Sequence, residues 1–286
     1  MGITPIDLQM LRDECPFSGA VLQLGRQDIH VSPEEVAALG LPRPVRARDD
    51  HAFYSALGFT QVRSIDASDY QGADIIGDLN RPLPLEFCNR FDAVVDSGCM
   101  EHIFDVPQVL RNIHAALKPG GRVFHMSPTS NQVDHGFYSF SPTFFADYYE
   151  TNRWRLERLR LIRFRLDWLH SRPTVHDYTP TDQLHLLGSS HCYGSEAIAT
   201  WCVARKLTES TCDRIPTQMV YRKGAWTGSK PPVDPWNLGS VNLVKRLAKS
   251  LLPQGPYETA RAALVRYVWG RRQLLRVLKS SRVRRK

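Results

Sequence analysis

The chain of 286 residues is long enough for one domain with a large core, or for one domain and an appendage. Its 42% hydrophobic and 10% aromatic fractions are those of a globular protein, and no apolar run reaches the roughly 18 residues that span a bilayer. The net charge of +8 divides unevenly: residues 241–286 carry 13 Lys/Arg and one acid, Glu258, for +12, which leaves 24 basic and 28 acidic side chains in residues 1–240, for −4.

The first residues, MGITPIDLQMLRDECPF, lack the basic and apolar blocks of a secretion signal, and Ile6 stands where a myristoylation motif needs Ser or Thr. Ala20 to Leu24 reads as a short strand entering Gly25. Ser32-Pro33-Glu34-Glu35 is a helix start, with Ser as N-cap, Pro at the first position and acids in the first turn. Residues 40–48 form a Pro-broken connection, and Asp50 to Leu57 is a helix closed by Gly58. Thr60 to Ile65 alternates as a strand ending at Asp66, and Ala73 to Ile76 is a third strand followed by Gly77-Asp78. Asp74 is expected at the surface, at the start of that strand.

Phe91 to Val95 is an apolar, β-branched run, the pattern of a buried strand. Asp96, Ser97, Gly98, Glu101 and His102 crowd its carboxyl end. Val106, Val109, Leu110, Ile113 and Leu117 recur at helical spacing, Lys118-Pro119-Gly120-Gly121 stops that helix, and Arg122 to Met126 resumes a strand. Ser141-Pro142-Thr143 starts a helix to about Glu150. Arg155 to Phe164 and Ala197 to Arg205 are the sixth and seventh strands, with loop-like sequence over 167–195. Strands alternating with helices predict an α/β fold: a Rossmann-like doubly wound sheet, mostly parallel, with helices on both faces and a helical C-terminal extension. The division is 1–206 for the α/β domain, 207–240 for a Pro/Gly/Trp-rich linker or wrapping arm, and 241–286 for a basic helical extension.

The six cysteines are scattered, with no CxxC or Cys/His metal spacing, so they read as reduced thiols of a cytoplasmic protein and no metal is expected.

The stretch from Phe91 to Phe124 resembles class I S-adenosylmethionine (SAM) dependent methyltransferases, of the type 11-like kind. Asp96 at a strand end, Glu101-His102 before a helix and Leu117-Lys118-Pro119-Gly120-Gly121 before the next strand stand in that family's order. The resemblance covers about 15–205 and implies seven strands, the last pair antiparallel, with SAM as cofactor. It also implies roles for single residues. Asp66 would accept the ribose hydroxyls, although it lies about forty residues beyond the first turn rather than the usual twenty or so. Asp78 would meet the adenine amino group, and Leu79 would pack on the ring. Asp96, Ser97 and Glu101 would line the cofactor edge.

The first βα turn departs from the family. Where acidic-x-Gly-x-Gly-x-Gly is expected, the chain has Gln23, Gly25, Gln27 and Ile29, so only Gly25 matches. Two readings stand: Arg26 and Gln27 contact the methionine part of SAM, Arg26 by pairing with its carboxylate, or the fold persists without the cofactor.

Methyl transfer to a hydroxyl needs a base. His102 and His135 are the catalytic candidates. His102 could instead bind cofactor or cap the helix, and His125 is a base or a hydrogen-bonded core histidine. Asn131, Tyr138 and Phe140 are acceptor-site candidates in the polar loop after Ser130. HGFYSFSP before a Phe-rich helix resembles methyltransferases encoded with sugar and surface-glycan enzymes, a resemblance that implies a small-molecule or glycan acceptor.

In 261–279, Leu264, Val265, Val268, Trp269, Leu275 and Leu278 alternate with arginines at amphipathic spacing. Such a helix suits peripheral contact with an anionic membrane, a lipid-linked acceptor included. Nucleic acid is the lesser alternative, since no aromatic-interleaved RNA-binding module is present, and a solvated helix is a third. The rivals of other function classes are an inactive methyltransferase-fold scaffold and an RNA methyltransferase.

Overall fold

A computed structural model describes residues 2–32, 34–35, 49–69, 72–165, 173–178 and 196–222. The N-terminal arm opens with β1 (Gly2–Ile3) and α1 (Pro5–Arg12). Thr4 and Asp7 close a capping box at the head of α1, with Pro5 at its first position. β2 (Ala20–Leu24) follows, then β3 (Asp28–Ile29), which pairs in parallel with β1. Ser32 and Glu35 exchange side chain–backbone bonds, Ser32 N to Glu35 at 2.8 Å and Glu35 N to Ser32 at 3.2 Å, as the helix start requires. The rest of that helix and the 40–48 connection lie outside the described residues.

The chain continues through α2 (Asp50–Leu57), β4 (Gln61–Asp66), β5 (Ile75–Ile76), β6 (Phe91–Ser97), α3 (Val106–Ala116), β7 (Leu117–Ser130), α4 (Pro142–Thr151), β8 (Arg155–Phe164), β9 (Thr174–Asp177), β10 (Ala197–Arg205) and the short α5 (Met219–Arg222). Asp49 caps α2 through the His51 amide, and Gly58 ends it in the left-handed region at φ +116°. Asp105 and Ser141 cap α3 and α4, each ahead of a proline in the first turn.

Eight strands form one sheet in the order β5-β4-β2-β6-β7-β10-β8-β9. The contacts from β5 to β7 are parallel, and β10 runs antiparallel to both β7 and β8. Side chains alternate between its two faces. Leu22, Val94, Val123 and Cys202 join the core on the α3 and α4 side. Val21, Ala93, Val95, Phe124 and Trp201 join the core beneath α1 and α2. Each fully buried large apolar side chain of these layers contributes about 1.5–3 kcal/mol.

The structure differs from the sequence expectation at two places. LKPGG ends α3 as expected, with Leu117 as the C-cap donating to Ile113 O, but it is no separate turn before the next strand: Leu117 is already extended and pairs with Phe91, and Gly120 and Gly121 exchange backbone bonds with Lys206, so the segment is the bulged start of β7. Thr174–Asp177, in the stretch read as loop, is a strand on the edge beside β8. Asp74 stands exposed just before β5, as expected, where its Oδ2 accepts from the Ser64 amide and hydroxyl, both at 2.8 Å.

The chain divides into two compact units, residues 1–180 with 195–217, and residues 181–194 with 218–286. In the first, the segment after β10 lies along α4: Asn152 Nδ2 donates to Arg214 O at 3.0 Å and Trp154 Nε1 to Thr211 O at 2.9 Å. In the second, only residues 218–222 are described, so the 223–240 part of the linker or arm and the basic 241–286 extension lie outside the described residues. Among the described residues no helix is long and apolar enough to cross a membrane.

Candidate functional site

The sheet order reverses between β2 and β6, so the connections after these two strands leave on opposite faces and open a crevice at their carboxyl ends. Gly25 lies at the end of β2 with φ +71°, and a Cβ there would meet Cys99 Sγ at 3.4 Å and Asp66 Oδ2 at 3.9 Å. Asp66, at the end of β4, accepts the Arg26 amide at 2.9 Å. Gly25 and Asp66 are thus brought side by side despite their separation in sequence. Gln23, in the position of the family's acid, donates from Nε2 to Gly25 O at 2.7 Å and so holds the turn itself. Gln27 is buried, and its Nε2 donates to Ser97 O.

Arg26 requires a correction. Its guanidinium lies 2.8 Å from Asp50 Oδ1 and donates to Gly72 O at 3.0 Å, so it is spent on the N-terminus of α2 and not held out for a ligand carboxylate. Asp78 is exposed, and the Asn80 amide and side chain donate to it at 2.9 and 2.7 Å, which holds its carboxyl below the usual range. Leu79 is buried in the core and does not stand open on a groove wall.

Beyond β6 a cavity of about 310 Å³ opens, lined among others by Thr4, Asp7, Ser97, Gly98, Glu101, Gln132 and His135. Ser97 donates from its hydroxyl to Asp7, which pins α1 to the end of β6. Burial is the largest influence on Asp7 and pushes its carboxyl up. Glu101 is fully buried, neither of its carboxylate oxygens accepts a hydrogen bond, and Oε1 lies 3.4 Å from His135 Nε2. Burial, reinforced by the Asp96 carboxylate, pushes Glu101 up to about 8, so it carries its proton at neutral pH unless a cation faces it.

The loop after β7 is clamped over this residue. Phe137 N donates to Glu101 O at 2.7 Å, and Gly136, at φ +81°, lies so close that a Cβ would stand 2.8 Å from the same oxygen. The His102 ring reaches the His135 ring edge to face, with centroids 5.2 Å apart. Burial and the nearby His135 lower the pKa of His102, which favours its neutral form.

Three further candidates face inward. Asp96 is fully buried: Oδ1 accepts the Met100 amide at 2.9 Å, and Oδ2 lies 2.7 Å from His125 Nδ1. His125 also contacts Tyr149 OH at 2.5 Å, which makes it a hydrogen-bonded core histidine. Phe140 packs against Phe144 and Phe145 and is buried, a correction to its acceptor-site reading. Tyr138 donates to Phe104 O at 3.0 Å and Asn131 to Glu196 O at 2.8 Å, and neither lines the cavity.

The sequence reading missed the N-terminal arm as a wall of this cavity. Thr4, Asp7 and His30 come from segments with no ligand-binding motif. The sole signal was the capping box Thr-x-x-Asp, which fixes a carboxylate at the start of α1.

The residues present fit a cationic ligand with hydroxyl groups. The cavity offers buried acids and an unpartnered carboxylate, and the glycine turn offers close backbone approach beside Asp66. A dinucleotide's pyrophosphate would need donors where the chain sets Asp7 and Glu101.

A family model described as a methyltransferase domain matches residues 30–178, just over half of the chain. No curated protein matches. Among solved structures, the chain is similar to 1,6-didemethyltoxoflavin-N1-methyltransferase of Burkholderia thailandensis, crystallised with S-adenosylhomocysteine, at 17% identity over 70% of this chain and 76% of that one, with a TM-score of 0.41. It is similar to a methyltransferase of Bacillus halodurans at 14% identity over 71% of this chain and 100% of that one, with a TM-score of 0.38. A SAM-dependent methyltransferase of Mesorhizobium loti is 14% identical over 71% of this chain and 98% of its own, with a TM-score of 0.39. The family model begins just past the Gly25 turn and runs through β4, β6, α3, β7 and α4, and because it spans more than half of the chain, the chain belongs to the methyltransferase-domain family, the SAM-dependent enzymes of class I.

Proposed function

We propose that the chain moves a methyl group from SAM to an oxygen or nitrogen of a small-molecule or glycan acceptor held in the cavity beyond β6. The observation that carries this reading is the meeting, at one point of the sheet, of the Gly25 turn beside Asp66 and the acid-lined cavity beside Ser97. On this reading Gly25 and Gln27 face the methionine part of the cofactor, and Asp66 accepts the ribose hydroxyls. Asp78 takes the adenine edge, and the Ser97–Gly98 backbone lines the near side.

The cofactor's sulfonium supplies an electrophilic methyl group. The protein then has to hold the acceptor in line and, for a hydroxyl, help one proton leave. His102 and His135 stand on the acceptor side and take that task. The polar loop over 131–139 and the basic 241–286 segment together suit a lipid-linked saccharide at a membrane surface.

Calorimetry of the full chain with SAM and S-adenosylhomocysteine tests the reading. We expect micromolar binding of both, weakened about tenfold or more by Asp66→Ala, a loss of about 1.4 kcal/mol or more. Folded protein that binds neither overturns it and leaves the fold a scaffold role.

A further inference from the structure

We propose that Glu101, His102 and His135 bind one divalent cation, of the zinc class, at the mouth of the cavity. Among the described residues these three form the one His/Cys/Asp/Glu group whose ligand atoms lie close enough to hold an ion, all within 4.8 Å of one another. Two imidazoles and a carboxylate are a known ligand set for zinc that is open to water or substrate at the remaining position. Ligands about 2.0–2.1 Å from a tetrahedral ion stand roughly 3.4 Å apart, and Glu101 Oε1 and His135 Nε2 are 3.4 Å apart.

The second observation is independent of the spacing. Glu101 is fully buried, and neither of its carboxylate oxygens accepts a hydrogen bond. A buried carboxyl group with no hydrogen-bond partner is costly, and an ion at this point gives it one. The site is also built in advance. Glu101 O holds the loop through the amides of Phe137, at 2.7 Å, and Tyr138, at 3.3 Å, so His135 is fixed by backbone and not by its own rotamer alone. The sequence concealed this arrangement, because His135 comes from a loop far along the chain from Glu101-His102 and the three match no metal spacing.

The use of the ion rests on the methyltransferase reading. A cation there binds an acceptor hydroxyl and lowers its pKa. The hydroxyl proton then leaves to solvent. An oxygen lone pair forms the new O–C bond as the C–S bond of the sulfonium breaks with its electron pair on sulfur, giving a methyl ether and S-adenosylhomocysteine. The acceptor atom is therefore a hydroxyl oxygen, not an amine.

Cobalt(II) is the probe. The full chain is stripped with chelator and titrated with Co²⁺, followed by its visible absorption, with Zn²⁺ as competitor. The expected result is one equivalent bound in a low-coordinate spectrum, displaced by Zn²⁺ and weakened about 10–100-fold by His102→Ala and by His135→Ala. Both imidazoles are partly exposed, so these variants keep the fold where Glu101→Gln risks it. No Co²⁺ uptake by folded protein, or uptake indifferent to both histidines, overturns the site. Calorimetry with SAM on the same protein separates the two readings: SAM binding by protein that takes up no Co²⁺ sinks the ion alone, and Co²⁺ uptake by protein that binds no SAM sinks the methyltransferase reading and leaves the ion.

Discussion

Gly25 shows how one residue's backbone sets the crevice. Its φ of +71° lies in the region that costs an L side chain roughly 1–2 kcal/mol, while the space beside it, bounded by Cys99 Sγ at 3.4 Å, would admit a methyl group. Gly25→Ala is therefore expected to lower stability by about that amount through backbone strain, as urea denaturation would register. His114 gives a prediction of a different kind. Its Nε2 lies 3.0 Å from Ser210 O, yet burial outweighs that contact and lowers its pKa from 6.5. The folded state then binds fewer protons than the unfolded state, so stability falls as pH drops below the unfolded value. Unfolding free energies measured across that range should show His114→Gln flattening the slope, and an unchanged slope would place the acid sensitivity elsewhere.

At the scale of elements, the segment after β10 is held by one side chain above all. Asn152 is fully buried, donates to Tyr148 O at 3.1 Å and Arg214 O at 3.0 Å, and accepts from Thr211 Oγ1 at 3.0 Å and Arg214 N at 3.1 Å. Asn152→Ala breaks all four and leaves buried groups unpaired, a loss of about 3 kcal/mol. Protease should then cut within 207–217 before the sheet unfolds, and a variant as resistant as the parent would show that the segment is held otherwise. Elements whose signal is local were legible in sequence. The caps at Ser32 and Ser141 and the β-branched run of β6 state their structure within a few residues. Elements that depend on distant partners were not. LKPGG reads as a turn between helix and strand until Lys206 pairs with its glycines, and Thr174–Asp177 is too short for alternation to show. The candidate site divides the same way: Gly25, Asp66 and Glu101-His102 announce themselves at strand ends, whereas Asp7 reaches the cavity only because Ser97 holds α1 over it.

At the scale of the whole molecule, charge is segregated along the chain, with −4 over residues 1–240 and +12 over 241–286. An acidic body has no reason to approach an anionic surface, so any such approach must come from the basic segment, where each Lys or Arg near the surface contributes about 1 kcal/mol. Screening shortens that attraction to about 8 Å at physiological salt and further above it. The full chain is therefore expected to sediment with vesicles containing phosphatidylserine at low salt, and to be released as salt rises. A chain ending at residue 240 should stay in the supernatant while its SAM affinity is unchanged, because the turn at Gly25 and the carboxylate of Asp66 lie in the body. Equal sedimentation of both chains would move the membrane contact onto the body. Indifference of the full chain to vesicles, with salt-sensitive retention of RNA, would give the basic segment a nucleic-acid partner and make the acceptor a ribose or base instead of a lipid-linked sugar.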